Sequence, residues 1–399
     1  MNINPYAHRG PVSPAELRIV SLQSAADALA QIRRWPGYSP TPLRKLAALA
    51  MHLGVTEVLY KDESTRFSLG SFKSLGGAYA AAREVQRVLG AGGEQIELHD
   101  LFAGACHQKT SAITLCCATD GNHGVSVAFA AKNMGCRCVV FMHEHASQAR
   151  ETTMRQLGAT VRRTTGTYDE SVYLAREAAR SQRWVLIADT STEPFERVPA
   201  EVMQGYAVMM LEIVEQLEGR RLSHVFLQGG VGGLAASVAG FLAEQFGAHR
   251  PMVIVVEPDT AACLFASSKA GHAVSVGGDL ETVMGMLACG EPSSIAWTIL
   301  KERADCFVTI DDTAAMHAHD LLNRGEAGCR LNVGYSGAAG VAGLIEVVSK
   351  TECRDALQLN ADSRVLVFGT EAGSTIGAMD KQIMVGVTGF EPATPTSRT

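Results

Sequence analysis

Residues 228–233 are Gln228-Gly229-Gly230-Val231-Gly232-Gly233, and they stand between an apolar run, His224–Leu227, and a helical pattern, Leu234–Phe246. Glycine takes four of the five positions from 229 to 233. Glycine backbones can approach a ligand closely, and the free N–H groups at the start of a helix attract anions. The stretch therefore predicts a phosphate site between a strand and a helix.

Other nucleotide-binding patterns fit this glycine stretch less well. A P-loop would carry Lys and then Ser or Thr after the glycines, whereas Leu234-Ala235 follow here. A dinucleotide fingerprint would need its third glycine at Ala235. Glu257 nevertheless ends the next predicted strand, where an acid can bind a ribose. The P-loop is excluded, and a nucleotide site remains an alternative.

The rest of the chain alternates short apolar runs with helical patterns, which predicts an α/β fold of parallel sheets covered by helices on both faces. Ligands of such folds bind beyond the carboxyl ends of the strands. The predicted strands are Glu57–Tyr60, Ile113–Ala118, Arg137–Met142, Thr160–Arg163, Trp184–Ala188, His224–Gln228, Met252–Glu257, Phe307–Ile310 and Arg364–Gly369. The predicted helices include Leu43–Leu53, Phe72–Leu89, Asn122–Met134, Ser147–Leu157, Tyr168–Gln182, Val198–Leu217 and Ser336–Ser349.

A second informative stretch is Ser71-Phe72-Lys73-Ser74-Leu75-Gly76-Gly77, at the start of a predicted helix. Because its neighbours are mostly apolar or glycine, Lys73 is expected to be buried. Burial disfavours the ammonium form and can make a lysine a nucleophile for Schiff-base chemistry. The alternative is a lysine at a helix N-terminus whose amine reaches water.

The third stretch is Thr119-Asp120-Gly121-Asn122-His123-Gly124, directly after the apolar run Ile113–Ala118. It predicts a strand, a tight turn and a helix. The N–H groups at such a helix start favour a carboxylate. The alternative is a plain connection in which Asp or Asn caps the helix.

In their order along the chain, the three stretches resemble the reactive lysine, the substrate-carboxylate loop and the phosphate loop of the fold-type II pyridoxal-phosphate enzymes, the tryptophan synthase β-like family. Within that family the chain is similar to the diaminopropionate ammonia-lyases, over roughly residues 20 to 380. The segments that carry this closer similarity are Lys61-Asp62-Glu63-Ser64, Arg66-Phe67, Thr119–Gly124, Ala188-Asp189-Thr190, Met203-Gln204-Gly205-Tyr206, Val256-Glu257-Pro258-Asp259, Ala288-Cys289-Gly290-Glu291-Pro292 and Gly369-Thr370-Glu371.

The resemblance implies a two-lobed parallel-sheet fold and pyridoxal 5′-phosphate as the cofactor. Lys73 would form the covalent link to it, and Asn122 would contact its phenolic oxygen. The phosphate would lie on the loop made by Gly229, Gly230, Val231, Gly232 and Gly233. Thr370 or Ser374 would face the pyridine nitrogen, with Thr370 favoured.

The same resemblance implies that the 119–124 loop takes the substrate carboxylate, through Thr119, Asp120, Gly121 and His123. Asp120 is further expected to pair with a second substrate ammonium or to act as a base on the face opposite Lys73. Asp189 is expected to have one of the same two roles, although it could simply cap a helix. Two acids and one lysine suit a diamino acid.

The expected reaction is β-elimination of ammonia from D- or L-2,3-diaminopropionate, giving pyruvate and ammonia. A serine or threonine dehydratase of the same fold is the first alternative, and a non-catalytic or nucleotide-binding protein that kept the fold is the second. Asp120 argues against the dehydratase, because a second ammonium is needed to justify its charge.

Two departures from the family pattern concern the cofactor's surroundings. The family pattern Glu-Ser-Gly-Ala is Tyr335-Ser336-Gly337-Ala338 here, and Thr-Glu-Gly is Thr370-Glu371-Ala372. Tyr335 removes a carboxylate close to the cofactor. The departures bear on substrate scope and rate more than on the cofactor itself.

The chain is expected to divide into two domains and a tail. Residues 1–86 and 190–386 would form the large cofactor-binding domain, and residues 87–189 a smaller domain with the substrate-carboxylate loop. The polar stretch 91–112 is interpreted as an irregular insertion, either a lid or a dimer element. Residues 387–399 lack periodicity and are interpreted as a disordered non-native extension.

The composition of the chain argues against several kinds of binding partner. The net charge is −6, which argues against nucleic acid. No secretory signal and no apolar stretch of about 18 residues is present, so a soluble cytoplasmic protein without a membrane partner is expected. The ten cysteines suit a reduced compartment, although a link between Cys263 and Cys289 is considered, and no metal site is expected. A homodimer that acts on a small amino acid is expected.

Overall fold

The computed structural model describes residues 1–93, 95–119, 121–144, 146–165 and 168–373. Asp120, Ser374 and the tail 387–399 therefore lie outside the described residues. Within the described ranges the strands and helices alternate as the sequence predicts.

The strands lie in two sheets. The strands of the described residues are β1 (Asn2–Ile3), β2 (Leu43–Lys45), β3 (Glu57–Asp62), β4 (Thr114–Ala118), β5 (Arg137–His143), β6 (Thr160–Thr164), β7 (Val185–Leu186), β8 (His224–Gln228), β9 (Met252–Pro258), β10 (Cys306–Ile310) and β11 (Arg364–Gly369).

The helices cover these sheets. The α-helices of the described residues are α1 (Pro14–Ile19), α2 (Leu22–Ile32), α3 (Ala47–Leu53), α4 (Lys73–Ala91), α5 (Leu98–Phe102), α6 (His107–Thr110), α7 (Asn122–Met134), α8 (Gln148–Gln156), α9 (Tyr168–Gln182), α10 (Arg197–Tyr206), α11 (Val208–Gln216), α12 (Gly233–Phe246), α13 (Cys263–Ala270), α14 (Ser294–Arg303), α15 (Asp312–Arg324), α16 (Tyr335–Ser349) and α17 (Thr351–Ala356). Within the part of the chain that the structure covers, none of these helices combines the length and the apolarity that crossing a bilayer requires.

The larger sheet has the order β1-β10-β9-β8-β11-β3-β2, and the smaller one has the order β6-β5-β4-β7. All pairs are parallel except the two at the edges of the larger sheet, where β1 and β2 run antiparallel to their neighbours. The fold class is thus confirmed as α/β with parallel sheets. The division into domains at residues 87 and 190 stays a prediction.

Two large apolar cores hold the molecule together. One core lies between the two sheets and joins Leu115 and Val140 of the smaller sheet to Val225 and Val253 of the larger one. The other covers the opposite face of the larger sheet and includes buried side chains of α3, α15 and α16. The apolar area buried in the first core therefore fixes the two sheets against one another.

Three local predictions were wrong. Leu43–Lys45 is strand β2 rather than the first turn of a helix, because it pairs with β3 at the edge of the sheet. The helix predicted at Val198–Leu217 is divided at Ala207 into α10 and α11. The stretch 91–112 is not irregular throughout, since it contains α5 and α6, and buried Phe102 stacks on Trp35 with ring centroids 3.8 Å apart.

Candidate active site

A cavity of about 900 Å³, its open mouth included, lies at the carboxyl ends of β4, β8 and β11. Most of the predicted site residues among the described ones line it. They are Lys73, Thr119, Gly121, Asn122, His123, Asp189, Gly230, Val231, Gly232, Gly233 and Thr370. Gly229 is outside this lining. It lies behind the loop, where an added Cβ would come within 2.7 Å of the Glu257 side chain.

Lys73 is the first residue of α4, and its amine points at Asp189. The Lys73 Nζ lies 2.5 Å from the Asp189 Oδ2, and its side chain is 24% exposed. Burial opposes the ammonium, but the Asp189 carboxylate outweighs it and raises the pKa of Lys73. The expectation that burial alone lowers the pKa of this lysine was therefore wrong for the cofactor-free chain, because the opposite charge is closer than the sequence could show.

Asp189 stands in the loop after β7, between Lys73 and His123. The His123 Nδ1 lies 3.8 Å from the Asp189 Oδ2, and the His123 Nε2 lies 2.8 Å from the Ile187 carbonyl oxygen. Since a carbonyl only accepts, Nε2 carries the proton and donates it. Burial disfavours the Asp189 carboxylate, but His123 and Lys73 lower the pKa of Asp189 to about 2. Burial also lowers the pKa of His123, so Lys73 is the cation beside Asp189 at neutral pH.

The glycine loop runs from the end of β8 into α12, as the sequence predicts. Gly232 has φ +97°, a conformation that side chains other than glycine rarely adopt. An added Cβ at Gly230 would lie 3.4 Å from the Cys289 Sγ and from the Met286 carbonyl oxygen. The loop therefore leaves backbone N–H groups at a helix start, facing the cavity and uncovered by side chains.

The 119–124 loop connects β4 to α7 and is held by its first residue. The Thr119 Oγ1 accepts hydrogen bonds from the backbone N–H groups of Gly121 and Gly124, at 3.0 and 3.1 Å. Asn122 starts α7 and donates through Nδ2 to the Glu371 Oε2 at 2.6 Å. The described part of this loop therefore lies at the cavity as predicted.

Thr370 and Glu371 follow β11 and close the cavity opposite this loop. The Thr370 carbonyl accepts from the backbone N–H of Phe72, at 3.2 Å, so the end of β11 fixes the residue before Lys73. Tyr335 is not part of the cavity lining, and its ring packs against that of His319 with centroids 4.3 Å apart and the planes tilted by 33°. Ser336 lines the cavity in its place.

Tyr206 and Gln228 line the cavity, although the sequence assigned them no role. Gln228 donates both N–H groups, to the carbonyls of Gly337 and Phe368, which leaves its Oε1 buried without a partner. The Tyr206 hydroxyl, the Asn122 Oδ1 and the His123 Nδ1 are also buried without a hydrogen-bond partner. Buried polar atoms are normally satisfied, so this cluster indicates a polar ligand. The sequence could have indicated both residues as part of the site. Tyr206 lies in Met203-Gln204-Gly205-Tyr206, one of the segments that carry the family resemblance, and Gln228 begins the glycine stretch.

Lys61, on β3, has polar neighbours that include Glu212 and Gln216. It is nevertheless fully buried, with its Nζ 2.7 Å from the Glu212 Oε2. Burial lowers the pKa of Lys61. Lys61 is not among the residues that line the cavity, so it supports the fold next to the site rather than the site itself.

None of the ten cysteines is in a disulfide bond, so the considered link between Cys263 and Cys289 is not formed. Cys263 donates to the Gly230 carbonyl with its Sγ 3.7 Å away, and Cys289 lines the cavity. Among the described residues no three His, Cys, Asp or Glu side chains are grouped closely enough to hold a metal ion.

Comparison with known proteins agrees with this geometry. A family model described as "Pyridoxal-phosphate dependent enzyme" matches residues 34–371. The diaminopropionate ammonia-lyase of Salmonella typhimurium is 36% identical, over 90% of this chain and 92% of that protein.

Two crystal structures of the Escherichia coli diaminopropionate ammonia-lyase are also similar to this chain. One, in complex with an aminoacrylate-PLP azomethine reaction intermediate, has a TM-score of 0.85 and 33% identity, over 97% of both chains. The other, in complex with D-serine, has a TM-score of 0.84 and 33% identity over the same shares. The chain therefore belongs to the pyridoxal-phosphate-dependent enzymes of fold-type II, in the group that contains the diaminopropionate ammonia-lyases, and its cofactor is pyridoxal 5′-phosphate.

Proposed function

We propose that this chain is an ammonia-lyase that converts 2,3-diaminopropionate and water into pyruvate and two molecules of ammonia. One observation carries the proposal. The Lys73–Asp189 pair shares a cavity with an anion-binding glycine loop, in a chain 36% identical to a diaminopropionate ammonia-lyase over 90% of its length. The reaction removes the α-proton and the β-amine of the substrate.

The residues of the cavity fit the cofactor. A phosphate needs backbone N–H donors and close approach, which Gly230–Gly233 at the start of α12 offer. A planar ring with polar substituents needs partners at its edges, and the unpaired atoms of Asn122, Tyr206 and Gln228 are candidates. When bound, pyridoxal phosphate supplies the electron sink for the substrate's α-carbon.

Lys73 would hold the cofactor covalently through its Nζ and, when free, would take the α-proton of the substrate. Asp189 holds the Lys73 ammonium after that proton is taken, because its carboxylate lies 2.5 Å from the Nζ. The raised pKa keeps Lys73 as the ammonium, so its Nζ must lose a proton before it can act as a nucleophile. His123, whose Nε2–H is fixed on the Ile187 carbonyl, keeps its Nδ1 directed towards Asp189.

The other residues of the cofactor site are assigned roles from their positions around the cavity. Gly229 supports the phosphate loop from behind, and Gly230, Val231, Gly232 and Gly233 hold the phosphate. Thr370, after β11, would face the pyridine nitrogen with a neutral hydroxyl. Asn122 would contact the phenolic oxygen.

The substrate carboxylate lies on Thr119, Gly121 and His123, at the start of α7. Asp120, which is outside the described residues, keeps the role predicted from the sequence. It pairs with the second substrate ammonium or serves as a base. The acids around a substrate with two amines are the reason for preferring a diamino acid to serine.

A dehydratase is the second candidate, since a structure of the related Escherichia coli enzyme contains D-serine. The test measures pyruvate formed from D- and L-2,3-diaminopropionate, D- and L-serine and threonine, by the purified protein with added pyridoxal phosphate. Faster turnover of 2,3-diaminopropionate than of serine is expected, and the reverse order would make the chain a dehydratase. Absence of a bound-cofactor absorbance band would indicate a non-catalytic or nucleotide-binding protein.

We further infer a homodimer in the cytoplasm. The absence of disulfide bonds among the ten cysteines supports a reducing compartment. The dimer rests on the family resemblance. Light scattering after size-exclusion chromatography checks it, and a mass near 42.4 kDa would show a monomer.

A further inference from the structure

Glu371 connects the end of the larger sheet to the helix that carries Asn122. It follows β11, is 9% exposed, and its Oε2 accepts the Asn122 Nδ2 at 2.6 Å. The Arg150 Nη2, on α8, lies 3.8 Å from the same oxygen. Gly334 leaves room for this side chain, because a Cβ added there would lie 2.8 Å from the Glu371 Oε1. The carboxyl group therefore occupies one defined place between the two sheets.

An ionised carboxylate only accepts hydrogen bonds, whereas an amide has one side that donates and one that accepts. Glu371 therefore admits only the Nδ2 side of Asn122. The Asn122 Oδ1 is left buried without a partner at the cavity. A glutamine, or a protonated glutamate, would also tolerate the reversed amide, because either could donate to Oδ1.

Residue 335 does not help to orient the Asn122 amide. Tyr335 stands where the family pattern has glutamate, and its ring packs against that of His319 instead of lining the cavity. Asp189, the other acid among the described residues that line the cavity, is occupied by Lys73. Of the two described acids that line the cavity, Glu371 is therefore the one that contacts Asn122.

We propose that Glu371 is a positioning residue: by accepting an N–H of the Asn122 Nδ2 it fixes the amide orientation of Asn122, and through it which amide atom is offered to the phenolic oxygen of the cofactor. The inference rests on the cofactor-binding part of the proposed function and not on the choice of substrate. A protein that bound pyridoxal phosphate but did not act on 2,3-diaminopropionate would still test it.

The surroundings of Glu371 decide its charge. Burial raises the pKa of this carboxyl, and it outweighs the groups that favour the ionised form, which are Arg150 on α8, Asn122 on α7, Lys73 on α4 and Ser336 on α16. Ionisation is therefore completed at a higher pH than in an exposed glutamate. The fixed orientation of Asn122 is expected to weaken as the pH falls through that range.

The test is a double-mutant cycle on cofactor binding. Pyridoxal phosphate is titrated into cofactor-free wild type, Glu371→Gln, Asn122→Ala and the double variant, and Kd and the absorbance maximum of the bound cofactor are recorded. Glu371→Gln should raise Kd about tenfold, the usual effect of losing a charged hydrogen-bond partner. Because Glu371 acts through Asn122, the double variant should bind no worse than Asn122→Ala, within about twofold. Additive losses would overturn the proposal.

Two further variants separate positioning from general destabilisation. Glu151→Gln, on α8, removes another buried carboxylate, which is paired with Arg155 and Arg163 away from the cavity. It should lower Tm and leave Kd and the absorbance unchanged, and an effect on cofactor binding equal to that of Glu371→Gln would contradict the proposal. Tyr335→Glu added to Glu371→Gln should not restore binding, because residue 335 faces His319. Restoration would move the role to position 335.

Glu371→Asp covers the case in which Glu371→Gln does not fold. It keeps a carboxylate, which still rejects the Oδ1 side of Asn122, but it shortens the side chain by one methylene. Binding should weaken while the absorbance maximum of the bound cofactor stays that of the wild type. A changed maximum in this variant would overturn the proposal.

Discussion

Lys73 and Lys61 both sit in ion pairs, and their partners decide what each can do. Lys61 is enclosed by Glu212, Gln216 and the Thr41 carbonyl, all within 3.1 Å of its Nζ. Lys73 has Asp189 on one side and the cavity on the other. Access to a ligand, rather than burial, therefore distinguishes the reactive lysine.

The first prediction compares these two lysines. Lys73→Ala should abolish both the lyase activity and the covalent attachment of the cofactor. Lys61→Met should lower Tm, because it leaves Glu212 with one cation fewer, but should keep the attachment. Borohydride reduction followed by peptide mass spectrometry locates the modified lysine. A cofactor adduct on any lysine other than Lys73 would refute the assignment.

The second prediction concerns pH. The pKa of Asp189 is lowered to about 2, so its stabilising effect is complete well above pH 4 and is lost as the pH falls towards 2. The pKa of Lys73 is raised, so its share is complete below its ordinary pKa and is lost only in strong base. Asp189→Asn should lower the unfolding free energy of the cofactor-free protein by about 2 kcal/mol at pH 7. Urea titration at pH 7 and pH 3 measures this, and a difference as large at pH 3 as at pH 7 would contradict it.

Single residues were predictable where they belong to a local motif. The roles of Lys73, Asn122 and Gly232 could be predicted from their neighbours in the sequence. The partners of Lys73 and Asn122 do not, because Asp189 and Glu371 are 116 and 249 positions away from them. Only the sheet topology brings such residues together, which is why the direction of the pKa shift of Lys73 could not be inferred.

At the scale of elements, the connection between β8 and α12 is where backbone conformation and ligand binding coincide. Gly232→Val adds a side chain at φ +97° and within 3.0 Å of the Leu300 side chain, and Gly230→Val adds one next to Cys289. Cofactor affinity should fall at least about tenfold, or roughly 1.4 kcal/mol, in either variant. Fluorescence titration with pyridoxal phosphate measures it.

Gly219→Ala is the matched control for backbone strain. Gly219 has φ +84°, and nothing lies within 4 Å of an added Cβ. This variant should cost stability without changing the cofactor's Kd. If Gly230→Val and Gly232→Val also bind the cofactor normally, the phosphate lies elsewhere.

Element prediction failed where tertiary contacts override local pattern. Leu43–Lys45 continues the apolar spacing of α3, yet edge pairing with β3 makes it a strand. The 91–112 stretch is polar in composition, yet Leu101 and Phe102 are buried in the core. Both errors arise because a neighbour that is distant in sequence supplies the hydrogen bonds or the apolar contact.

At the scale of the whole molecule, the site depends on both sheets. Asn122 comes from the connection after β4 of the smaller sheet, while Lys73, the glycine loop and Glu371 come from connections of the larger one. The core between the sheets therefore controls how closely these groups meet. Cofactor binding, which touches both sides, should raise Tm, and the rise should grow with the logarithm of the cofactor concentration over its Kd.

The chain beyond the site gives a further prediction. The family match ends at residue 371, and residues 387–399 lie outside the described residues. Because this segment has no apolar face in its sequence, deleting it should leave Tm and activity unchanged. A clear loss of Tm on deletion would show that the segment is packed against the fold.

The last prediction uses the two substrate isomers to test whether Lys73 and Asp120 each remove the α-proton of a different isomer. Lys73 is the proposed base for one face of the bound substrate, and the L-isomer should present its α-proton there. The D-isomer presents it on the opposite face, for which the predicted base is Asp120, from the 119–124 loop.

Asp120→Asn keeps the size of the side chain but removes its basicity, so turnover of D-2,3-diaminopropionate should fall by about 10²–10⁴-fold. Turnover of the L-isomer should fall less, through weaker pairing with the second amine. Steady-state kinetics on both isomers measure the two losses. Equal losses would make Asp120 a binding residue, and the base for the D-isomer would then have to be sought at Asp189, whose low pKa and contact with Lys73 make it a much weaker base.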